Sequence, residues 1–175
     1  MERIDPVPIL QVVGFKNSGK TSVIEKVLHV LNRKGYKAGV IKHHGHGGKP
    51  DSIDLNGTDT DRFQQSGANV TAVEGNGMIQ MQINTSQENS LSLLTGLYKQ
   101  LPIDFILIEG YKVAPYPKVI IYKTAEEKNQ LLRLRNIVAM IGPSAEDLGN
   151  NLKPAFSMDK PEHYIPFFEE FIKRS

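Results

Sequence analysis

The sequence predicts an α/β fold in which a mostly parallel sheet is flanked by helices and carries one added β-hairpin. Two apolar segments, residues 8–13 and 103–108, are too short for helices and rich in β-branched residues, which is typical of buried strands. Apolar residues at helical spacing separate the first segment from another strand at residues 38–41. Because the order strand, helix, strand requires a crossover connection, the sheet begins as a parallel one.

The composition excludes several classes of protein. The 175 residues carry 21 Lys and Arg against 19 Asp and Glu, a net charge of +2, which excludes nucleic-acid binding by broad electrostatic attraction. The absence of cysteine from the sequence excludes disulfides, thiolate zinc sites and a thiol nucleophile. No segment has the ~18 uncharged apolar residues of a membrane span, and a signal peptide is not recognisable. We expect one cytoplasmic domain over residues 1–175, without nucleic-acid or membrane partners.

The first half of the chain contains two further elements after the strand at residues 38–41. Asp and Thr before an apolar position predict a short helix at residues 59–65. Two strands, at residues 69–73 and 78–83, flank the turn-forming sequence Glu-Gly-Asn-Gly. This arrangement predicts a β-hairpin at residues 69–83.

The second half of the chain alternates between helices and strands. Leucines at helical spacing predict a helix around residues 91–98, before the apolar strand at residues 103–108. Two more strands are predicted at residues 118–122 and 136–141, with a charged helix between them. An apolar stripe over residues 165–172 predicts a last helix that packs on the sheet.

The first strand is followed by the sequence G-F-K-N-S-G-K-T, which matches the phosphate-binding pattern G-x-x-x-x-G-K-[ST] without departure. The glycines allow backbone N–H groups to surround phosphate oxygens, and the next helix adds the partial positive charge of its N-terminus. Lys20 supplies a mobile positive charge, and the Thr21 hydroxyl is a ligand for Mg²⁺. The sequence therefore predicts a P-loop site for a nucleoside triphosphate, made by Gly14, Lys16, Asn17, Ser18, Gly19, Lys20 and Thr21.

A P-loop site also requires a carboxylate at the end of a neighbouring strand, which holds Mg²⁺ or orients a nucleophile. Glu109 directly follows the apolar strand and is the first candidate for this catalytic and metal-binding role. Asp59 is the second candidate, although an Asp at this place is also typical of a helix N-terminus. Arg62 suits either a phosphate contact or an ion pair with a nearby acid, and the spacing leaves both open.

The segment at residues 42–57 is rich in Gly, His and Asp, which is typical of a functional surface loop. Lys42, His43 and His44 suit contact with an anionic ligand. A solvated loop without a role is a further interpretation. The remaining alternative is a metal site, with ligands taken from His43, His44, His46, Asp51 and Asp54.

Together, the strings GFKNSGKT, IKHHGH, GTDTDRFQQSGA and FILIEGYK resemble the MobB family of GTP-binding adapter proteins, over about residues 9–112. The resemblance implies a P-loop fold, GTP and Mg²⁺ as cofactors, at most weak GTPase activity, and assistance in attaching GMP to molybdopterin. It also implies a homodimer paired through the hairpin at residues 69–83. The implied partners are a molybdenum cofactor guanylyltransferase, molybdopterin-handling enzymes and molybdopterin itself.

The resemblance also assigns residues by position in the matching strings. Lys20 and Thr21 would contact phosphate and magnesium, and Asp59 and Glu109 fall where the family has its two acids. The basic loop and the arginine of the family match Lys42, His43, His44 and Arg62.

Two alternative functions follow from features that the resemblance does not explain. The sequence lacks the string N-K-x-D that reads guanine in many P-loop proteins, and the spacing gives Asp147 no support as a substitute. The choice of GTP over ATP therefore rests on the resemblance. One alternative is a small ATP-dependent phosphotransferase, with the basic residues between 123 and 135 as its lid or as ordinary solvated charges. A metal-delivery GTPase, motivated by the histidines, is the other.

Overall fold

The structure of the protein is a computed structural model that describes residues 6–44, 58–85, 90–143 and 153–174. The chain divides into two compact units. The sheet unit contains the described residues 6–44, 96–143 and 153–174, and the hairpin unit contains residues 58–85 and 90–95. The single domain expected for residues 1–175 stays a prediction.

The described residues contain eight strands and five helices. The strands are β1 (Ile9–Gly14), β2 (Ala38–Lys42), β3 (Val70–Gly75), β4 (Met78–Ile83), β5 (Phe105–Glu109), β6 (Lys118–Ile121), β7 (Ile137–Gly142) and β8 (Ala155–Ser157). The helices are α1 (Lys20–Arg33), α2 (Asp59–Gln65), α3 (Ser90–Lys99), α4 (Ala125–Leu131) and α5 (Pro161–Arg174). In this part of the chain, no helix has the length and apolar character needed to cross a membrane.

The sheet unit is built on six parallel strands in the order β2-β5-β1-β6-β7-β8. Alternate side chains point to opposite faces of the sheet. Val12 and Leu107 belong to the larger core, on the face that packs against α1 and α5. Val13 and Ile120 point the other way, into a smaller core that includes Leu131 of α4. The α/β fold class with a mostly parallel sheet, helices and an added hairpin is confirmed.

The strand order places β1 between β5 and β6, so that the ends of these strands meet at one edge of the sheet. Val12 is paired with Glu109, and Gly14 with Ile121. In parallel sheets of this kind, ligands bind at the edge where the strands end. The phosphate-binding sequence, which follows β1, therefore lies beside the ends of β5 and β6.

The hairpin unit contains an antiparallel pair of strands, in which Val70 faces Ile83 and Gly75 faces Met78. The turn consists of Asn76 and Gly77, with φ angles of 52° and 78°. Positive φ at both central residues is the geometry of a type I′ turn, which matches the twist of the flanking strands. The predicted four-residue turn is thus shorter in the structure, because the two residues before Asn76 stay in β3.

Two other differences from the predicted elements concern an additional strand and the start of another. β8 has three residues and was not predicted, since so short a strand shows no periodicity. β5 begins at Phe105, two residues later than predicted. Asp104 lies outside the strand, where its carboxylate accepts a hydrogen bond from the backbone N–H of Lys37 at 2.6 Å.

Candidate functional site

The backbone of the phosphate-binding loop requires glycine at some positions and, at others, a residue that tolerates a positive φ angle. Asn17 and Gly19 have φ angles of 59° and 95°, a region favoured by glycine and tolerated by asparagine. A β-carbon on Gly14 would lie 2.4 Å from the backbone oxygen of Ile121 and 2.5 Å from Ser18 Oγ. No side chain larger than hydrogen fits at position 14 without a shift of the strand or the loop.

The start of α1 is suited to an anion. Its N-cap, Gly19, has no side chain to accept hydrogen bonds from the first turn of the helix, and that turn contains no acidic residue. The Ser18 hydroxyl is fully buried, and within the described residues its oxygen has no hydrogen-bond partner. Free N–H groups, the helix dipole and this unpaired hydroxyl fit the phosphate groups of a nucleotide.

Lys20 lies over the loop that precedes it. Its ammonium group donates a hydrogen bond to the backbone oxygen of Phe15 at 2.6 Å. Burial lowers the pKa of Lys20, an effect that the nearby Glu109 carboxylate opposes and the nearby Lys112 ammonium increases. The lysine therefore carries a partly desolvated charge beside the loop.

Glu109 and Thr21 come together at the strand edge. The Thr21 hydroxyl lies 3.4 Å and 3.3 Å from the two carboxylate oxygens of Glu109, to which it donates. Glu109 is the last residue of β5, next to β1 in the sheet, and Thr21 is in the first turn of α1. A hydroxyl and a carboxylate so placed are oxygen ligands of the kind that Mg²⁺ takes in nucleotide sites.

The basic loop begins at the same edge. Lys42 pairs with Glu109 in the sheet, and the backbone N–H of His43 donates to the backbone oxygen of Glu109 at 3.0 Å. The His43 ring lies against the Tyr111 ring, with centroids 4.3 Å apart. The structure thus brings Lys42 and His43 to the end of β5, while His44, the last residue described before the gap, is exposed.

Gln11 is a residue of this site that was not predicted from the sequence. It is fully buried in β1, and its Nε2 group donates to the backbone oxygens of Gly110 at 2.9 Å and Tyr111 at 2.8 Å. Both acceptors have positive φ, 94° and 50°, so the turn after Glu109 is held in an unusual conformation. The signal that could have revealed Gln11 is a polar residue within an otherwise apolar strand.

Asp59 and Arg62 belong to the hairpin unit, where they form an exposed ion pair with a distance of 3.4 Å. The N-cap of α2 is Thr58, whose hydroxyl accepts from the backbone N–H of Asp61, so Asp59 lies in the first turn. Asp59 and Asp61 both lie in this turn, where their negative charges interact favourably with the positive end of the helix dipole. This placement fits the interpretation of Asp59 as a residue typical of a helix N-terminus. It does not by itself show that Asp59 binds a ligand.

A metal site built from the histidines receives no support from the described part of the chain. No three His, Asp or Glu side chains among these residues are grouped so that they could hold a metal ion. The other predicted ligands, His46, Asp51 and Asp54, lie outside the described residues, as does Asp147.

Comparison with known proteins decides which family the chain is in. Residues 9–143 match the family described as MobB, molybdopterin guanine dinucleotide synthesis protein B. The chain belongs to the MobB family. It is 45% identical over 163 residues, 92% of this chain and 91% of its relative, to a probable molybdopterin-guanine dinucleotide biosynthesis adapter protein of Bacillus subtilis. An adapter protein of Escherichia coli is 26% identical over 173 residues, 96% of this chain and 95% of that protein.

Solved structures agree with this assignment. The crystal structure of Bacillus subtilis MobB is 40% identical, with a TM-score of 0.76 over 94% of this chain and 97% of that chain. A MobB homologue from Bacillus stearothermophilus is 32% identical, with a TM-score of 0.74 over 95% and 99% of the two chains. The family resemblance inferred from the motifs is confirmed, and nothing in the comparisons favours a small phosphotransferase.

Proposed function

We propose that this protein is a GTP-binding adapter in the synthesis of molybdopterin guanine dinucleotide, where it assists a guanylyltransferase in attaching GMP to molybdopterin. The observation that carries the proposal is the convergence of Lys20, Thr21 and Glu109 beside the phosphate-binding loop of a MobB family member. The relatives whose names include this adapter role support it.

In the proposed site, the backbone of residues 14–19 binds phosphate oxygens and Lys20 neutralises part of their charge. Thr21 and Glu109 hold Mg²⁺, which when bound polarises the phosphate groups. The proposal also includes Asp59 as a third magnesium ligand and Arg62 as a phosphate contact. The proposed nucleotide-binding side chains are those of Lys16, Asn17, Ser18, Lys20, Thr21, Lys42, His43, His44 and Arg62.

The proposal includes at most weak intrinsic GTP hydrolysis. A rapid hydrolase needs a carboxylate or amide that orients the attacking water. Glu109 accepts from Thr21, the other proposed Mg²⁺ ligand, and the proposal assigns this carboxylate to holding Mg²⁺. Asp59, as the second catalytic candidate, lies in the exposed helix α2 of the other unit.

Calorimetric titration with Mg-GTP and with Mg-ATP tests the proposed function. We expect saturable binding of GTP, with clearly weaker binding of ATP. Equal or tighter binding of ATP would remove the guanine-specific role and make the ATP-dependent alternative the leading function. A second titration, with the guanylyltransferase in the presence and absence of Mg-GTP, tests the adapter role, which is contradicted if the two proteins never associate.

We further propose that a second copy of this chain covers the hairpin. The hydrogen bond from Gln64 to Thr71 shows which face of the hairpin α2 packs on. Strand alternation places Val70, Ile79 and Met81 on the opposite face, where they are 54%, 69% and 48% exposed. Glu74 shares this face, opposite Ile79. A two-stranded hairpin that exposes several apolar side chains is only marginally stable in water, and pairing with an identical hairpin would bury them.

Sedimentation analysis of Ile79→Lys tests the pairing of hairpins. We expect wild-type protein to sediment as a dimer and Ile79→Lys to shift toward monomer, because a charge on the paired face is costly to bury. Val113→Lys is the matched control, since Val113 is 94% exposed in the sheet unit. A dimer that survives Ile79→Lys unchanged would show that the hairpin face is not its interface.

A further inference from the structure

Two lysine side chains contact Phe15, the second residue of the phosphate-binding loop. The Lys112 ammonium lies over the Phe15 ring, 4.0 Å from its centroid. The Lys20 ammonium donates to the Phe15 backbone oxygen at 2.6 Å. A lysine that the phosphate-binding pattern does not include is therefore held on the loop from the end of β5, three residues after Glu109.

This arrangement brings like charges close together. Lys112 and Lys20 contact the same residue, Phe15, one over its ring and the other at its backbone oxygen. Ammonium groups held near one another repel unless an anion lies among them. The face of the Phe15 ring offsets part of this cost. Two lysines held on one loop are typical of a site for a polyanion.

The turn that carries Lys112 is built to hold its position. Gln11, buried in β1, donates to the backbone oxygens of Gly110 and Tyr111, directly before Lys112. The backbone N–H of Ala114 also donates to the Tyr111 oxygen, at 2.8 Å. The sheet and the Phe15 ring together set the position of Lys112. A ligand that binds there therefore causes little further loss of conformational entropy in this turn.

We propose that Lys112 is a second phosphate-binding lysine, positioned by the Phe15 ring, and that it selects nucleoside triphosphates over diphosphates. The inference rests on the proposed function, because it adds a residue to the same nucleotide site. Lys112 follows the strand end that carries Glu109, and it adds positive charge to the phosphate-binding loop, over the Phe15 ring. A third phosphate group brings further negative charge to this site, and Lys112 distinguishes the two ligands through that charge.

The test compares Mg-GTP with Mg-GDP in calorimetric titrations of four variants. Lys112→Met should weaken GTP binding about 10-fold or more and GDP binding less than about 3-fold, since a charge-assisted contact is lost with the triphosphate alone. Lys112→Arg should keep most of the discrimination. Phe15→Leu, which removes the ring but keeps an apolar side chain, should weaken GTP binding about 2–5-fold. Lys26→Met is the matched control, because Lys26 is exposed on α1, and it should bind as the wild type does.

The outcomes separate this inference from the proposed function. If wild-type protein prefers ATP, the proposed guanine-specific role fails, and the same variants titrated with ATP and ADP still test Lys112. If Lys112→Met leaves the triphosphate-to-diphosphate ratio unchanged, Lys112 has no part in selection and the inference is overturned. Thermal unfolding of each variant checks its folding, and should Lys112→Met fail to fold, Lys112→Gln replaces it. Wild-type protein that binds no nucleoside triphosphate refutes both proposals.

Discussion

Two groups of polar side chains, one in each unit of this protein, are held in opposite ways. In the sheet unit, Gln11 is fully buried and joins β1 to the turn after β5, across a sequence separation of 99 and 100 residues. In the hairpin unit, the ion pair of Asp59 and Arg62 joins residues three apart in one short helix, with side chains 83% and 78% exposed. Gln11 is thus held by contacts between distant parts of the chain, whereas Asp59 and Arg62 are held by local structure.

The contrast extends to the apolar residues. The central strands of the sheet unit are buried on both faces, whereas β3 and β4 expose valine, isoleucine and methionine side chains. A rigid, braced strand edge lowers the entropic cost of binding a small anionic ligand. An exposed apolar hairpin is instead suited to association with another protein surface. The difference indicates a division between ligand binding and assembly, which the following substitutions probe.

The largest difference is expected between two glycines, one in each unit. Gly14→Ala should lower the free energy of unfolding by about 2–3 kcal/mol and abolish nucleotide binding, because its β-carbon meets the backbone oxygen of Ile121 at 2.4 Å. Gly75→Ala in β3 should change stability by less than about 0.5 kcal/mol, since no atom lies within 4 Å of its β-carbon. Urea denaturation measures both. An equal loss in the free energy of unfolding for the two variants would contradict the view that the loop is tightly packed at position 14 and that the hairpin is open at position 75.

A smaller change in stability is expected from Lys20→Met. We expect the free energy of unfolding to stay within about 1 kcal/mol of the wild type or to rise, because the partly desolvated charge is removed. Binding of Mg-GTP should weaken about 100-fold, since a charge-assisted phosphate contact is lost. A marked loss of stability together with unchanged binding would show that the lysine has a structural role instead.

The pH dependence of stability provides a second readout for Lys20. Burial lowers its pKa below the usual 10.5. Between the folded and unfolded pKa values, the unfolded chain binds more protons than the folded one, so wild-type stability rises with pH in that interval. Lys20→Met should lose this contribution. The buried Lys118 has a lowered pKa as well, but it is present in both proteins and its effect cancels in the difference.

The sequence predicts local features of this molecule better than long-range ones. The phosphate-binding loop is eight consecutive residues, and each of its four fixed positions has a physical requirement that can be recognised in the sequence. Glu109 was predicted because an apolar strand ends there. Gln11 and Lys112 were not predicted as site residues, because each acts on a residue almost a hundred positions away. Their partners are set by the strand order, which the sequence does not state.

The smallest stability effect is expected in the hairpin unit, from Asp59→Asn. Exposed ion pairs contribute little, and the free energy of unfolding should change by less than about 0.5 kcal/mol. Any effect on Mg-GTP binding would then reflect ligand contact and not misfolding. If Asp59 is a magnesium ligand, the variant needs more Mg²⁺ for half-maximal GTP binding, whereas Asp61→Asn, a matched change in the same helix turn, does not. Identical magnesium titrations for both variants and the wild type would leave Asp59 with its helix-dipole role and confine the nucleotide site to the sheet unit.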